Sequence, residues 1–170
     1  MRALYINIET LIANSTLTVR NNDHQVIYLV TGHWGNSYGR FVVNSVYGDE
    51  LARINQLKFG MLPKFELIQA HQRICTFIRP LNITNEIFYL PKLNWIVRGN
   101  LKHMTYKIAT VNHQIMRTQV LKEVPQRLAI NIDQVEHEPL CLCILAILNY
   151  WAQTRFLDPS TPLDQNPVCT

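Results

Sequence analysis

Glycine is scarce in this chain of 170 residues, with only six copies, and charged residues make up just 16% of it. With 48% hydrophobic residues, this composition excludes an intrinsically disordered or low-complexity protein. The length favours one domain, because a domain usually takes roughly 100–200 residues. We therefore expect a single domain over residues 1–157 and a flexible, proline-rich tail over 158–170, where three of the eight prolines lie.

The motifs of the common enzyme classes are missing. There is no P-loop, no dinucleotide-binding glycine fingerprint, no His-Glu-x-x-His pair and no Gly-x-Ser-x-Gly elbow. The nearest approach to a metal site is the pair His137 and Cys141, which has no visible third ligand. We assign no catalytic, metal-binding or cofactor-binding residue and expect a protein that is not an enzyme and has no cofactor. Four scattered histidines show no spacing typical of catalysis and are interpreted as surface or hairpin residues: His24, His71, His103 and His113.

A secretory signal is not recognisable in the first nine residues, which lack an uninterrupted apolar stretch and a small-residue cleavage site. The four cysteines also lack the Cys-x-x-Cys spacing of metal sites and are most simply reduced thiols. They are Cys75, Cys141, Cys143 and Cys169. We therefore expect a cytoplasmic protein.

Acidic residues are rare in the middle of the chain. Residues 51–127 contain twelve basic and three acidic residues, whereas the remainder contains four basic and nine acidic ones. Such segregation attracts anionic partners, but cations on exposed strands also keep sheet edges from pairing. Clustering of the basic residues on one side of the fold would favour binding, and an even spread would favour a role in solubility. The residues that decide this are Arg73, Arg79, Arg98, Lys102, Lys107, Arg117 and Lys122.

Apolar and polar residues alternate along most of the chain up to residue 133. In residues 16–20 the alternation is typical of a half-buried strand. Similar runs, separated by short polar turns, predict about twelve strands that form antiparallel hairpins. The predicted strands lie at 3–8, 16–20, 25–31, 40–46, 50–55, 65–69, 73–79, 86–90, 94–98, 104–110, 114–122 and 127–133.

An apolar run over residues 140–148 departs from this alternation. Pro139 suits the first turn of a helix, and Glu136 and Glu138 complement the positive end of its dipole, so we predict a helix over 138–156. Residues 139–152 would reach only about 21 Å at ~1.5 Å per residue, short of the roughly 30 Å of a bilayer core. A helix that is apolar on every side must then be surrounded by protein. We therefore predict a mainly β fold in which a closed antiparallel barrel of about twelve strands surrounds this C-terminal helix.

Two weaker features concern aromatic residues. The segment 32–39 holds three of the six glycines and predicts a long hairpin loop, with Trp34 and Tyr38 near its tip. The triplet Phe41, Val43 and Val46 recurs 65 residues later in Tyr106, Ile108 and Val111, which suggests an internal repeat. The other notable aromatic residues are interpreted as core or barrel-rim residues: Tyr5, Tyr28, Trp95 and Trp151.

The order of short motifs over residues 4–157 carries a family resemblance. The motifs are Val26–Gly32, Phe41–Val43, Gly48–Gln56, Pro63–Leu67, Trp95–Asn100, Tyr106–Ile108 and the apolar helix. In this order the chain resembles the LURP-one-related family of the tubby C-terminal-like superfamily, which also includes phospholipid scramblases. The resemblance implies a closed barrel of twelve strands threaded by a C-terminal hydrophobic helix. Small single-domain members with this layout resemble bacterial proteins of unassigned role.

The resemblance also bears on function. Better-studied tubby relatives bind phosphoinositide head groups through basic side chains on the barrel exterior, but those side chains cannot be matched here position by position. The ligand-binding residues are therefore unknown from the sequence. Scramblase activity is not expected, because the chain has neither a cysteine-rich palmitoylation cluster nor an acidic calcium loop.

Three hypotheses for function follow. The first is a binding module that is not an enzyme, whose basic outer face contacts anionic lipid head groups at the inner membrane surface, without a transmembrane segment. The second is a structural or protein-interaction module, including a homodimer. The third is an unrecognised hydrolase with a His/Asp pair in a cleft. Nucleic acid is not an expected partner, because basic and aromatic residues are not densely interleaved.

Overall fold

A computed structural model describes residues 1–8, 16–33, 39–58, 63–79 and 85–156. Twelve strands, a short 3₁₀ helix (Val135–His137) and the α-helix α1 (Glu138–Phe156) make up the described fold. The strands are β1 (Arg2–Asn7), β2 (Thr16–Arg20), β3 (Val26–His33), β4 (Arg40–Ser45), β5 (Glu50–Lys58), β6 (Lys64–Gln69), β7 (Gln72–Ile78), β8 (Asn85–Leu90), β9 (Trp95–Asn100), β10 (Thr105–Ala109), β11 (Gln114–Leu121) and β12 (Arg127–Ile132). The twelve predicted strands and the predicted helix are confirmed. Trp34, Tyr38 and the tail 158–170 lie outside the described residues.

All twelve strands belong to one antiparallel sheet. Their order is β7-β6-β5-β4-β3-β2-β1-β12-β11-β10-β9-β8, so the first strand pairs with the last and the hairpins extend from both sides of that pair. Alternation of burial along the strands directs one set of side chains inward. On β2, for example, Leu17 and Val19 are buried, whereas Thr16 and Arg20 are exposed.

The barrel is nearly closed, which refines the prediction of a closed one. In the described part of the chain no ladder of hydrogen bonds joins β7 to β8, the two ends of the strand order. Instead the rings of Phe77 and Phe88 stack across this seam, with centroids 4.9 Å apart and planes 6° apart. The ring of Trp151 on α1 packs edge-on against Phe88 from inside. Aromatic side chains therefore hold the two edges together where backbone pairing is missing.

Helix α1 fills the interior of the curved sheet. Every side chain from Leu140 to Leu148 is at most 5% exposed, and so this part of the helix has no solvent-facing stripe. The prediction of a helix surrounded by its own chain is confirmed. Among the described residues, no helix combines the length and the apolar character needed to cross a membrane.

The start of α1 is fixed at one end of the barrel, which we call the upper end. The carboxyl group of Glu138 is fully buried there, and Tyr28 on β3 donates a hydrogen bond of 2.6 Å to its Oε2 atom. Arg2 on β1 approaches the same oxygen at 3.4 Å. Just before the helix, Gln69 Nε2 on β6 donates a hydrogen bond of 3.1 Å to the carbonyl oxygen of Glu136. These contacts tie the helix to three strands.

The suggested repeat places β4 and β10 six strands apart in the barrel, on opposite walls. Val43 and Ile108, which correspond in this alignment, are both fully buried. Val46 and Val111, which also correspond, are both exposed after the end of their strands. The 65-residue offset therefore relates residues of similar burial at two of its three positions, whereas Phe41 is only partly buried and Tyr106 is buried.

Candidate anion-binding groove

Three cations stand side by side on the outer face of the barrel. Lys107 on β10 is directly opposite Arg98 on β9 and directly opposite Arg117 on β11. Side chains at facing positions have Cβ atoms about 4.5–5.5 Å apart, and like charges placed so are destabilising. None of the three forms an ion pair within the part of the chain that the structure describes. We call these three residues the basic row.

A groove of ≈ 510 Å³ follows the basic row. Its lining contains the three cations, the apolar side chain of Ile87 and neutral polar residues, and no carboxylate of the described residues. A second depression of ≈ 340 Å³, toward the upper end, shares Arg98 and Lys107. The cations therefore lie between two depressions that a ligand could occupy. The neutral polar residues of the larger groove are Asn100, Thr105, Gln114 and Thr118.

The groove opens because the ladder between β10 and β11 is interrupted at Thr118. The Thr118 hydroxyl accepts a hydrogen bond of 2.8 Å from the backbone N–H of Tyr106 and donates one of 2.9 Å to the carbonyl oxygen of Met104. A side chain here takes the bonds that the opposite backbone would otherwise make. The paired positions accordingly stop at Lys107 and Arg117, beside which the groove lies.

The seven basic residues singled out in the sequence are unevenly distributed. Besides the basic row, Lys102 lies in the turn after β9 and Lys122 directly follows β11, so that five of the seven belong to one wall. Arg73 lies on β7, and Arg79 follows β7 with its guanidinium 4.4 Å from the centre of the Trp151 ring. This clustering is the arrangement that favours binding over a role in solubility alone.

Apolar side chains adjoin the groove at the seam. Ile87 and Tyr89 point outward from β8, and each is 48% exposed, while Ile78 at the end of β7 is 51% exposed. Ile87 is directly opposite Arg98 on the neighbouring strand. The wall thus combines positive charge with an exposed apolar margin.

A second group of titratable residues lies at the upper end. Asp133, just after β12, has Oδ2 2.9 Å from Nε2 of His113 and Oδ1 2.8 Å from Nδ1 of His137. Burial tends to raise the pKa of Asp133, but the hydrogen bonds from the two imidazoles and the charge of His137 hold it below its ordinary value. The ring of Trp95 packs edge-on against His137. The spacing of these residues in the sequence did not indicate this cluster, which forms because the β10–β11 turn meets the end of β12.

The predicted pair of His137 and Cys141 does not come with further ligands. Among the described residues, no three histidine, cysteine or acidic side chains are arranged to hold a metal ion. Burial raises the pKa of the Cys141 thiol well above its usual value, so this thiol is unsuited to act as a nucleophile beside the histidine. Cys75, Cys141 and Cys143 are free and buried, and Cys169 lies outside the described residues.

The aromatic residues singled out in the sequence are placed as follows. Tyr28, Trp95 and Trp151 are buried, as predicted. Tyr5 points outward from β1 and is half-buried beneath the guanidinium of Arg127, whose central carbon is 5.4 Å from the centre of the ring.

Comparison with known proteins supports the fold alone. No protein-family model matches the chain, and neither does any curated protein. A crystal structure of a protein from Arabidopsis thaliana is similar, with a TM-score of 0.55, and the match covers 88% of this chain and 90% of that one. The two sequences are only 6% identical over the match. The likeness shows a shared barrel architecture and gives no information on the activity of either protein.

Proposed function

We propose that this protein is a peripheral membrane-binding module, not an enzyme, that contacts anionic lipid head groups through the basic row. The observation that carries the proposal is the alignment of Arg98, Lys107 and Arg117 on three adjacent strands beside one groove, in whose lining the described part of the chain places no carboxylate. Like charges in this register cost stability. An anionic ligand would offset that cost.

The chemistry of the wall suits a phosphate-bearing surface. Arginine presents a planar set of donors that binds phosphate oxygens in pairs, and lysine adds a compact positive charge. A basic residue close to an anionic membrane surface contributes about 1 kcal/mol, so the basic row would contribute about 3 kcal/mol, or roughly a hundredfold in affinity. Ile87 beside the row would enter the interfacial region, where apolar side chains are favoured.

The proposal includes kinship and location. We propose that the chain is related to the LURP-one-related family and works at the cytoplasmic side of a membrane. The order of sequence motifs and the barrel around a buried helix support the kinship. Exterior lipid binding by tubby relatives is consistent with a cationic outer wall.

Vesicle binding tests the proposal. Wild-type protein is sedimented with neutral vesicles of phosphatidylcholine and with vesicles containing 30% phosphatidylserine, at low and high salt. We expect binding to the anionic vesicles only, and weaker binding as salt rises. The triple substitution Arg98→Gln, Lys107→Gln and Arg117→Gln should weaken it by roughly a hundredfold.

The matched control removes one cation from the opposite wall. Arg40 on β4 is exposed, six strands from β10, and the substitution Arg40→Gln should leave vesicle binding nearly unchanged. Equal recovery with neutral and anionic vesicles, or equal loss in the control and the triple variant, would reject the proposal. Thermal melting of each variant confirms that the barrel is intact.

A second candidate is a protein-interaction module. The observation in its favour is the exposed apolar margin of Ile78, Ile87 and Tyr89 along two strand edges that no ladder joins. This candidate predicts that the protein forms a dimer whose fraction rises with protein concentration and that Ile87→Asp dissociates this dimer. It also predicts that vesicle binding does not depend on salt. Sedimentation equilibrium of the wild type and of this variant distinguishes the two functions.

A further inference from the structure

A separate crevice of ≈ 160 Å³ lies on the outer face between β1, β2 and β12. It exists because β1 and β2 are paired at a single position, Tyr5 with Arg20. Where the two strands diverge, the crevice reaches the otherwise buried side chain of Ile6 on the inner face. Residues of all three strands line it, together with His24 and Pro125 from the adjoining turns, so its shape depends on the barrel and on these two turns.

Nitrogen donors dominate the chemistry of this crevice. Arg20 on β2 and Arg127 on β12 supply two guanidinium groups, and His24 supplies an imidazole. Thr18 and Asn7 add neutral polar side chains, and no carboxylate of the described residues lines the crevice. Two guanidinium groups facing one small concavity are suited to a tetrahedral oxyanion, because each can bind two of its oxygens.

The donors are held in place before any ligand arrives. Arg20 Nη1 donates a hydrogen bond of 2.7 Å to the carbonyl oxygen of His24, in the turn that closes the β2–β3 hairpin. Asn21 braces that turn, because its Oδ1 atom accepts a hydrogen bond of 2.9 Å from the backbone N–H of Gln25. Guanidinium groups fixed in this way lose less conformational freedom on binding, which strengthens it.

The second guanidinium has two contacts of its own. Arg127 lies over the ring of Tyr5, and it also forms an ion pair with Glu123, which is more exposed to solvent than Arg127 is. Tyr5 orients the cation, whereas Glu123 neutralises part of its charge and would compete with an incoming anion. The carboxylate stands outside the crevice lining, and it can turn into solvent when an anion binds.

We propose that this crevice is a binding site for a phosphate group, carried by inorganic phosphate, by a soluble phosphate ester or by a lipid head group. It is distinct from the basic row. Arg117 of the row is opposite Asn131 on β12, and Arg127 lies four residues further along that strand, about 13 Å away at ~3.3 Å per residue. The site therefore does not depend on the groove or on the function proposed for it.

Titration with inorganic phosphate tests the site, by calorimetry at constant ionic strength with chloride as the reference anion. We expect phosphate to bind the wild type and to shift the backbone amide resonances of Arg20 and His24. The substitution Arg20→Gln should weaken binding about tenfold or more, since it removes charged hydrogen bonds. Arg20→Lys should restore part of the affinity, and Arg40→Gln, on the opposite wall, should leave the affinity unchanged.

A gain-of-affinity variant keeps the test independent of folding. Glu123→Gln removes the competing carboxylate from an exposed position, and it should tighten phosphate binding by severalfold while leaving Tm nearly unchanged. The triple variant of the basic row should keep the phosphate-induced amide shifts of Arg20 and His24. That result would stand even if vesicle binding failed altogether, so the two proposals can fail separately.

Vesicles that contain phosphatidic acid test whether the bound phosphate group belongs to a lipid head group or to a soluble molecule. If Arg20→Gln weakens binding both to these vesicles and to inorganic phosphate, the crevice binds a lipid head group. If it weakens binding to inorganic phosphate but not to the vesicles, the ligand is a soluble phosphate. Both outcomes support the site. Phosphate affinity that is unchanged by both Arg20→Gln and Glu123→Gln, or amide shifts confined to the basic row, would overturn it.

Discussion

Two buried tyrosines should respond in opposite directions when their hydroxyl groups are removed. Tyr28 donates a hydrogen bond of 2.6 Å to the fully buried carboxyl group of Glu138. Burial, followed by that hydrogen bond, raises the pKa of Tyr28, so the phenol remains a neutral donor. The hydroxyl of Tyr106 is also buried, but it has no hydrogen-bond partner among the described residues.

The magnitudes follow from these two environments. A hydrogen bond to a charged group contributes about 1.5–3 kcal/mol, so Tyr28→Phe should lower the free energy of unfolding by about 2 kcal/mol. An unsatisfied buried hydroxyl costs about 1–3 kcal/mol, so Tyr106→Phe should raise it by up to about 1 kcal/mol. In a chain of this size 1 kcal/mol corresponds to about 2–4 °C in Tm. The first variant should therefore melt about 4–8 °C lower, and the second about 2–4 °C higher.

Urea unfolding followed by circular dichroism measures both effects, with a two-state fit and a shared m-value. Tyr47→Phe is the matched control, because Tyr47 is 90% exposed in the β4–β5 turn and should change the free energy by less than about 0.5 kcal/mol. If Tyr106→Phe lowered stability by more than about 1 kcal/mol, its hydroxyl would have to be hydrogen-bonded in the folded protein, and the reasoning would be wrong.

Two further predictions concern packing and pH. A Cβ atom on Gly99 would lie 3.0 Å from Cδ1 of Tyr106, so Gly99→Ala should lower the free energy of unfolding in urea by about 1–3 kcal/mol despite the gain in backbone stiffness. Because the folded pKa of Asp133 is lowered, its bonds to His113 and His137 contribute fully above the unfolded value of about 3.9 and are lost as pH falls through the folded value. Asp133→Asn should therefore cost about 1–3 kcal/mol at pH 7 and progressively less as the pH falls below about 3.9, and a cost that does not change with pH would contradict this account.

Much of the fold could be predicted because burial leaves a periodic signature in the sequence. The alternation in residues 16–20 correctly placed Leu17 and Val19 inside, and the unbroken apolar run over 140–148 correctly indicated a helix covered from all sides. The seam could not be predicted. Whether β7 and β8 join by hydrogen bonds depends on the curvature accumulated over twelve strands, which no local pattern encodes.

The basic row could be predicted only in part. Alternation indicated that Arg98, Lys107 and Arg117 face outward, but their alignment depends on two turns that set the register between β9, β10 and β11. Counting residues outward from the turn at 101–104 would have placed Arg98 opposite Lys107. The meeting of His113 with Asp133 had no such signal, because His113 lies in the turn before β11, Asp133 follows β12, and no short turn fixes the register between these two strands.

The filled interior explains where recognition can occur in this barrel. Side chains of α1 occupy the space that ligand-carrying barrels leave open, so a ligand must bind at the outer face or at the ends. A complete ladder gives an outer face without deep concavities. The groove and the crevice each lie where the ladder is interrupted, the groove beside the Thr118 hydroxyl between β10 and β11 and the crevice beside the single pair Tyr5 and Arg20 between β1 and β2. It follows that substitution of Thr118 by valine, which cannot accept the N–H of Tyr106, should change the groove and leave the crevice intact.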